Sequence, residues 1–374
     1  MNGLDKIARK IAHAQKQSPW IFIVVFIVLA LIIIPGILFL PANIEPSIER
    51  LMPAQEKEVS LMNEMREQFG ADMLYVVLES DYSSLDDVRS VNSVEYIDLL
   101  TEKIRYNEYI LGTRSLSSIL KQSNNGVLPR SDYEIAQLLE QDMVMMQAKD
   151  FLGEQSDRTY VEITADTGAN IKIIEQVIDS IEQDVASLEV HNPGYKTKIT
   201  GFGAIDKATF EVIVTDFTNI TGLSFMGMVL FLFFYFNRSL KKTLLTVSLI
   251  MLSLLIMMGI TGYLDLTITV MTMVAAAMIM ALGISYGIHV VHGYYVLRKE
   301  YSKKNVLTHL QSDLLRALIG SSLTTSAGFL ALLFGVLPAM KILGIVLAIG
   351  IVVTLLVAVF FLPALVYVTD KHSH

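Results

Sequence analysis

The sequence predicts a polytopic α-helical membrane protein with six transmembrane helices and one exterior α+β domain between the first and second helices. Of its 374 residues, 53% are hydrophobic and 18% are charged, and the mean hydropathy is +0.51, which is typical of membrane proteins. A second observation is that residues 42–216 alternate between strand-like and helix-like patterns. The third is that the apolar residues form six stretches able to cross a hydrocarbon core of about 30 Å as helices, at 19–40, 219–236, 243–262, 267–292, 318–337 and 341–366.

Residues 18–41 are predicted to be the first transmembrane helix. The apolar run from Trp20 to Leu40 is longer than the core of a cleaved signal peptide, and no small-residue cleavage pattern follows it. Residues 1–17 combine basic and apolar side chains. Helical spacing places four apolar residues on one side, so we expect a short interfacial helix on an anionic cytoplasmic leaflet, with its apolar side formed by Leu4, Ile7, Ala8 and Ile11.

Basic residues predict the orientation of the helices. Short basic segments lie at the N-terminus, at 237–242 and at 298–316, and such segments face the cytoplasm in most membrane proteins. Both termini, including a tail at 369–374, are therefore expected inside. Residues 217–368 then form the other five helices, and residues 42–216 lie outside a plasma or inner membrane.

The exterior segment is acidic and lacks cysteine. Its 175 residues contain 32 aspartates and glutamates against 15 lysines and arginines, which argues against nucleic acid as a partner. Cysteine is absent from the whole chain, so neither a disulfide nor a thiolate ligand can form. A segment of this length is large enough to form its own hydrophobic core.

Short β-rich runs alternate with longer runs of helical spacing across this segment. We predict strands at 73–78, 110–116, 159–165 and 195–200, and helices at 55–69, 87–105, 131–149 and 170–189. Ser131 and Asn170 are predicted N-caps. The alternation predicts a small α+β sandwich with helices on one face of a mixed sheet. A last helical run, 204–217, leads directly into the second membrane helix.

The fourth membrane stretch contains the polar residues of greatest interest. An ionisable side chain inside a membrane helix is costly and therefore suggests a function. Ser285, Tyr286 and His289 are spaced so that all three can share one face, and they are the candidate coupling or proton-relay residues. Gly283 and Gly287 form a small-xxx-small pair suited to close helix packing. His292 is expected at the cytoplasmic interface.

No metal site is expected, since His289 and His292 have no third ligand nearby in the sequence. A structural role for His289 remains the alternative to proton exchange. The fifth stretch has five hydroxyl residues in six positions, and Ser322, Thr325 and Ser326 are candidates for a polar membrane path. The competing interpretation is packing, with each hydroxyl bonded to its own helix.

Four segments, taken in order, resemble the resistance-nodulation-division superfamily, specifically its MMPL-like branch related to sterol-sensing domains. LMPAQEKEVSLMNEMREQFG (Leu51–Gly70) resembles the segment that follows the first helix in that family. GISYGIHVVHGYY (Gly283–Tyr295) resembles the fourth-helix signature G-[IV]-D-[YF]-x-[IV]-H. TTSAGFLALLF (Thr324–Phe334) and the run Leu343–Leu365 resemble the fifth and sixth helices. The resemblance extends over nearly the whole chain.

This resemblance implies secondary active transport of lipids or other hydrophobic compounds, driven by protons that pass through the fourth helix. Full-length members contain two such repeats, whereas this chain has one, so the resemblance implies a homodimer of half-transporters. The exterior domain would then be a porter subdomain of the ferredoxin-like βαββαβ type. No cofactor is implied.

One position departs from the family signature. Ser285 occupies the place of the proton-binding aspartate, and a serine hydroxyl does not titrate in the physiological range. Tyr286 and His289 do match the signature. The open alternatives are that His289 takes over coupling, that another ion is used, that transport is not proton-driven, or that the protein binds a lipid without moving it.

Three functions are consistent with these features. The leading expectation is a homodimeric half-size transporter of lipids or hydrophobic compounds. The second is a lipid-sensing or scaffold protein that does not transport. The third is an accessory protein of protein export that resembles the SecD/SecF family, although the intramembrane carboxylates and arginines of that mechanism are missing from the sequence. An enzyme is not expected, because no nucleophile elbow, P-loop or HExxH motif occurs.

Overall fold

The computed structural model describes residues 3–44, 52–53, 55–69, 72–80, 87–153, 156–168, 170–269 and 271–370. Leu51 and Gly70, at the two ends of the first family-like motif, and residues 371–374 of the tail lie outside the described residues. The chain divides into two compact units, which we describe separately. One consists of the N-terminal segment with Val212–His374, and the other is formed mainly by Ala54–Glu211.

Two helices precede the α+β unit formed mainly by Ala54–Glu211. Helix α1 spans Gly3–Gln17, and α2 spans Pro19–Ile33 and continues as a 3₁₀ segment, Ile34–Asn43. Of the apolar residues predicted on one side of α1, Leu4 and Ile7 are exposed, whereas Ala8 is fully buried together with Ala12 and Gln15. Small side chains allow α1 to pack closely against the bundle, and this leaves the larger apolar residues facing outward.

The second unit contains a four-stranded sheet and six α-helices among its described residues. The elements in order are α3 (Lys57–Phe69), β1 (Asp72–Ser80), α4 (Val91–Arg105), β2 (Ile110–Arg114), α5 (Leu116–Ser123), α6 (Asp132–Leu139), α7 (Asp142–Ala148), β3 (Arg158–Ala165), α8 (Ile171–Ser187) and β4 (Tyr195–Gly201). All four strands lie where the sequence predicts them. The predicted caps are present too, since Ser131 and Asn170 accept hydrogen bonds from the Glu134 and Lys172 backbone N–H groups.

The sheet has the order β2-β3-β1-β4, and every neighbouring pair is antiparallel. The prediction of a mixed sheet is therefore wrong. Strands β1 and β2 are joined through α4 in the βαβ manner, but β3 lies between them, so no parallel pair forms. The buried face of β1, with Leu74, Val76 and Leu78, belongs to one core cluster with residues of α4 and α8.

A second cluster of buried residues lies around helices α5 to α7, which connect β2 to β3. The single helix predicted at 131–149 is two helices, because Gln141 is extended between α6 and α7. Helix α5 has no counterpart in the prediction. It begins with a capping box in which Ser115 and Ser118 exchange hydrogen bonds, and serine in place of glutamate or glutamine at the third position makes this box hard to recognise.

Strand β4 passes directly into α9 (Phe202–Tyr235), so the predicted continuous helix into the second membrane span is confirmed. Gly201, at the junction, has φ of +115°, and a methyl group there would lie 2.3 Å from the Met73 carbonyl oxygen. Only glycine fits this position, both for its backbone angle and for its contact with β1.

The remaining helices are α10 (Leu240–Tyr263), α11 (Ala275–Glu300), α12 (Lys303–Leu330), α13 (Pro338–Leu356) and α14 (Leu362–Thr369). Six helical spans of the described residues are long and apolar enough to cross a membrane. The fourth begins at Ala275, whereas the predicted start is residue 267. Ile268 instead forms an isolated parallel bridge with Ile44, and Thr272 accepts a hydrogen bond from the Thr269 N–H in a turn before the helix.

Three glycines bring the 3₁₀ segment after α2 into backbone contact with α10. A methyl group on Gly259 would lie 2.2 Å from the Ile33 carbonyl oxygen, and one on Gly262 would lie 1.9 Å from that of Gly36. A methyl group on Gly36 would lie 2.2 Å from the Gly259 carbonyl oxygen. These two elements therefore pack at a distance that any side chain would prevent, as is common between membrane helices.

The last membrane span contains a π-helical turn, Val357–Phe361, between α13 and α14. Proline has no N–H, so Pro363 cannot donate to the Val359 carbonyl four residues earlier. Two fully buried glutamines from other helices supply the missing donors. Gln15 of α1 donates to Val359 (3.0 Å) and Phe360 (3.0 Å), and Gln311 of α12 donates to Val359 (2.8 Å) and to the Gln15 side-chain oxygen (2.8 Å).

Candidate functional site in the helix bundle

Helix α11 packs against α10 through its two glycines. A methyl group on Gly287 would lie 2.4 Å from Cγ2 of Thr246, and one on Gly283 would lie 3.0 Å from Cγ1 of Ile250. Both glycines are buried, so the small-xxx-small pair lies at a helix–helix contact. This packing fixes the rotation of α11 and thereby decides where its polar residues point.

The three candidate coupling residues do not share a face. Tyr286 is 3% exposed and is buried with the glycines, whereas Ser285 and His289 are exposed on a different side of the helix. A spacing of four residues keeps Ser285 and His289 together, but Tyr286 is one residue further along than Ser285, which turns it by about 100°. The expectation of a single face that contains all three residues is therefore wrong.

Tyr286 forms a buried polar contact with the fifth span. Its hydroxyl lies 2.6 Å from the Ser322 hydroxyl of α12, and either group can donate. Ser322 and Ser326 are both buried, and they are separated by one turn on the same side of α12. The Ser326 hydroxyl has no hydrogen-bond partner among the described residues.

Thr325 does not join this buried pair. It is half-buried, and its hydroxyl donates to the Ser321 carbonyl of its own helix at 2.8 Å. Thr324 likewise donates to the Gly320 and Ser321 carbonyls. The structure thus places Ser322 and Ser326 with Tyr286, while the threonines bond within their helix in the manner expected for packing.

A pocket of about 320 Å³ lies between α11 and α12 on the exposed side of α11. His289 and His292 line it from α11, and Asp313 lines it from α12. Asp313 was not predicted as a site residue, because residues 298–316 were assigned to a basic segment that faces the cytoplasm. The signal that could have found it is helical spacing, since Leu310, Leu314 and Leu318 form an apolar stripe that continues α12 back through this region.

A small apolar cavity of about 40 Å³ lies at the other end of α11. Residues of five helical segments and of the 267–272 turn line it, with Leu40, Phe217, Met257, Ala276 and Val346 among them. Its lining is almost wholly apolar. Methionine side chains are flexible, so the cavity can be enlarged at low cost.

Hydrogen bonds of charged residues connect the ends of α11, α12 and α14. Asp370, which is 4% exposed, accepts hydrogen bonds from the Tyr294 hydroxyl (3.0 Å) and from Arg298 Nε (3.1 Å). Lys303 donates to the Asp370 carbonyl oxygen at 2.5 Å. On α1, Asp5 pairs with Arg316 of α12 at 2.8 Å, and this hydrogen bond lowers the pKa of the Asp5 carboxyl.

Comparisons with known proteins agree with these observations. The profile of the MMPL family matches residues 53–372. A curated protein of Methanocaldococcus jannaschii, described as a "Putative membrane protein", is 26% identical over 99% of this chain and 95% of its own length.

One solved structure has a similar fold. The hedgehog release protein Disp from the water bear Hypsibius dujardini superposes with a TM-score of 0.63 at 12% identity, over 97% of this chain. The chain spans about half the length of that protein, 50%. Since the family profile covers most of the sequence, this multi-pass membrane protein belongs to the MMPL family.

Proposed function

We propose that this protein is a half-size secondary transporter of the resistance-nodulation-division type that moves lipids or other hydrophobic compounds. The observation that carries the proposal is the order of its parts, with one membrane helix, a folded α+β unit and five further helices in a chain that matches the MMPL profile over residues 53–372. That order is one complete repeat of the two that full-size transporters contain.

The exterior unit serves as a porter subdomain of the ferredoxin-like type. Support comes from its sheet, whose antiparallel order β2-β3-β1-β4 and two helical crossovers, α4 and α8, follow the β-α-β-β-α-β scheme. Helices α5 to α7 are then an insertion between the second and third strands.

The active form is a homodimer. The chain aligns with 50% of the Disp structure, so two copies would supply a complete set of twelve membrane helices. Among the described residues, the side of α11 that contains Ser285 and His289 is exposed. Exposed polar side chains in lipid are costly, and a second copy would cover them.

The protein resides in a plasma or inner membrane with both termini in the cytoplasm and the α+β unit outside. Support comes from the basic residues at the ends of α9 to α12, which include Arg238, Lys241, Arg298 and Lys303. In this orientation the His289 pocket lies toward the cytoplasm, and the apolar cavity near Met257 lies toward the outer leaflet.

Lipid is the favoured substrate because the cavity near Met257 is apolar and is lined by flexible side chains. Coupling uses His289 in place of the family aspartate, since Ser285 has no titratable proton near neutral pH. The second candidate function is lipid sensing without transport, and the observation that favours it is Ser285 itself.

The test uses purified full-length protein in liposomes that carry a fluorescent phospholipid in one leaflet. A transporter accelerates movement of the probe between leaflets or to acceptor vesicles, relative to protein-free liposomes. Binding of the probe without any acceleration, with or without a pH gradient, would support the sensing function and refute transport.

A further inference from the structure

We propose that Asp313, together with His289 and His292, forms the proton-binding site that replaces the carboxylate absent at Ser285. This inference rests on the proposed transport function and identifies its coupling site. Asp313 belongs to α12, so the carboxylate of the proposed site lies on the neighbouring helix and not on α11 itself. The three side chains line one pocket of about 320 Å³.

The antiparallel packing of α11 and α12 explains why these residues meet. A methyl group on Gly293 would lie 3.2 Å from Cδ1 of Leu310, and the Tyr286 hydroxyl bonds Ser322 further along both helices. These two contacts fix the alignment of the helices. On α12, Asp313 lies about one turn from Leu310. On α11, His292 is adjacent to Gly293, and His289 lies about one turn further along the helix, so all three side chains are at a similar depth.

None of the three side chains is committed to another polar partner. Asp313 and His289 form no hydrogen bond or ion pair with any residue in the part of the chain that the structure describes. The His292 ring lies against the edge of the Tyr235 ring, with 6.1 Å between ring centres. All three side chains are exposed among the described residues, so the pocket leaves them accessible for proton exchange.

Other charged groups near the pocket are engaged elsewhere. Arg316, one turn from Asp313 on α12, pairs with Asp5 of α1 at 2.8 Å. His309, one turn away on the other side, stacks on Tyr301 with 3.9 Å between ring centres. Tyr235 of α9 is a titratable residue whose ring contacts His292. Asp313 is therefore the acidic residue that lines the pocket together with the two histidines.

The chemistry favours protons over other cations. Imidazoles exchange protons near neutral pH, and a neighbouring carboxylate can receive or supply one. A hard cation such as sodium prefers several oxygen ligands, and only one carboxylate is present. No group of three histidine or acidic residues able to hold a metal ion occurs among the described residues.

The pocket also connects to the position of the lost aspartate. Ser285 lies one turn from His289 on the same exposed side of α11, about 6 Å along the helix axis. Ser285 can therefore pass a hydrogen-bonded proton or water onward without titrating. The proposed site therefore lies near the position of the family's aspartate. The groups that exchange protons are about one turn closer to the C-terminal end of α11.

The experiment measures lipid movement and proton movement in the same vesicles. Full-length protein is reconstituted with pyranine inside and a fluorescent phospholipid in one leaflet, and a pH gradient is imposed. We expect Asp313→Asn and His289→Gln each to reduce protein-dependent proton flux at least tenfold, and Asp313→Glu to restore much of it. Glu300→Gln, which removes an exposed carboxylate at the end of α11, and His13→Gln are matched controls that retain the wild-type flux.

Each outcome is informative. Lipid movement and proton flux that keep the wild-type pH profile in Asp313→Asn would overturn this inference and leave the proposed transport intact. Proton flux that requires Asp313 without any lipid movement would support the site and refute lipid transport. The absence of both would contradict both. Size-exclusion profiles and thermal unfolding of each variant separate loss of coupling from loss of folding.

Discussion

Replacing Gln311 by leucine tests whether the glutamine pair compensates for Pro363. Gln311 is fully buried, and its amide group donates to Gln15 and to Val359, both at 2.8 Å. Leucine conserves most of the volume but leaves the Gln15 side-chain oxygen without a donor. A buried acceptor left unsatisfied costs about 1–3 kcal/mol, so we expect Gln311→Leu to lower the free energy of unfolding by that amount.

A double-mutant cycle with Gln15→Leu gives the sharper result. Both glutamines donate to the Val359 carbonyl, so loss of either one leaves the other in place. Once Gln15 is replaced, Gln311→Leu no longer leaves the Gln15 side-chain oxygen without a hydrogen-bond donor. The two substitutions should then be non-additive by at least about 0.5 kcal/mol, as is usual for residues in one hydrogen-bond network.

The assay follows unfolding in mixed detergent micelles by fluorescence. Trp20 is the only tryptophan of the chain and lies at the start of α2, next to α1, so its signal reports the region under test. Gln17→Leu replaces an exposed glutamine of α1, the helix that contains Gln15. It is the matched control and should change stability little. Strictly additive effects, or a stability of Gln311→Leu equal to that of wild type, would refute this account of the π-helical turn.

Four further outcomes are expected. Gly259→Ala should lower the unfolding temperature by several degrees, because the added methyl would lie 2.2 Å from a carbonyl oxygen, whereas Gly320→Ala, with open space around it, should not. Tyr286→Phe should cost about 0.5–1.5 kcal/mol in the same unfolding assay, and no further loss should follow in Ser322→Ala on that background. Lys198 lowers the pKa of Glu79 through a hydrogen bond, so the stability from this pair is present above the ordinary pKa of 4.5 and lost as pH falls through the lower folded value. Glu79→Gln should therefore flatten the decrease in unfolding temperature of the full chain below about pH 5. Native mass spectrometry from nanodiscs should find twice the chain mass of 41.6 kDa, and a single chain as the main species would refute the dimer.

The secondary structure of the α+β unit could largely be predicted, because its signals are local. Alternation in 73–78 and 159–165 and the N-caps Ser131 and Asn170 each depend on a few neighbouring residues. Sheet order is different, since no local pattern states that β3 lies between β1 and β2. The same limit applies to α1, where Ala8 and Ala12 are buried by contact with distant helices and not by their own hydrophobicity.

The candidate site was predicted in composition but not in arrangement. His289 and Tyr286 could be selected because polar residues are conspicuous in an apolar helix. Their orientation depends on Gly283 and Gly287, which turn one side of α11 toward α10 and so send Tyr286 inward and Ser285 outward. Asp313 could not be connected with them, because the contact between α11 and α12 joins residues more than twenty positions apart.

The most direct test of the central claim is the rate of lipid transfer by wild-type protein under imposed, reversed and collapsed pH gradients. The liposomes contain one fluorescent phospholipid, and nigericin collapses the gradient in the control. A proton-coupled transporter predicts a rate that rises with one gradient direction, reverses or falls with the other, and drops to the uncoupled level with nigericin. A rate equal to that of protein-free liposomes under all three conditions would contradict the claim.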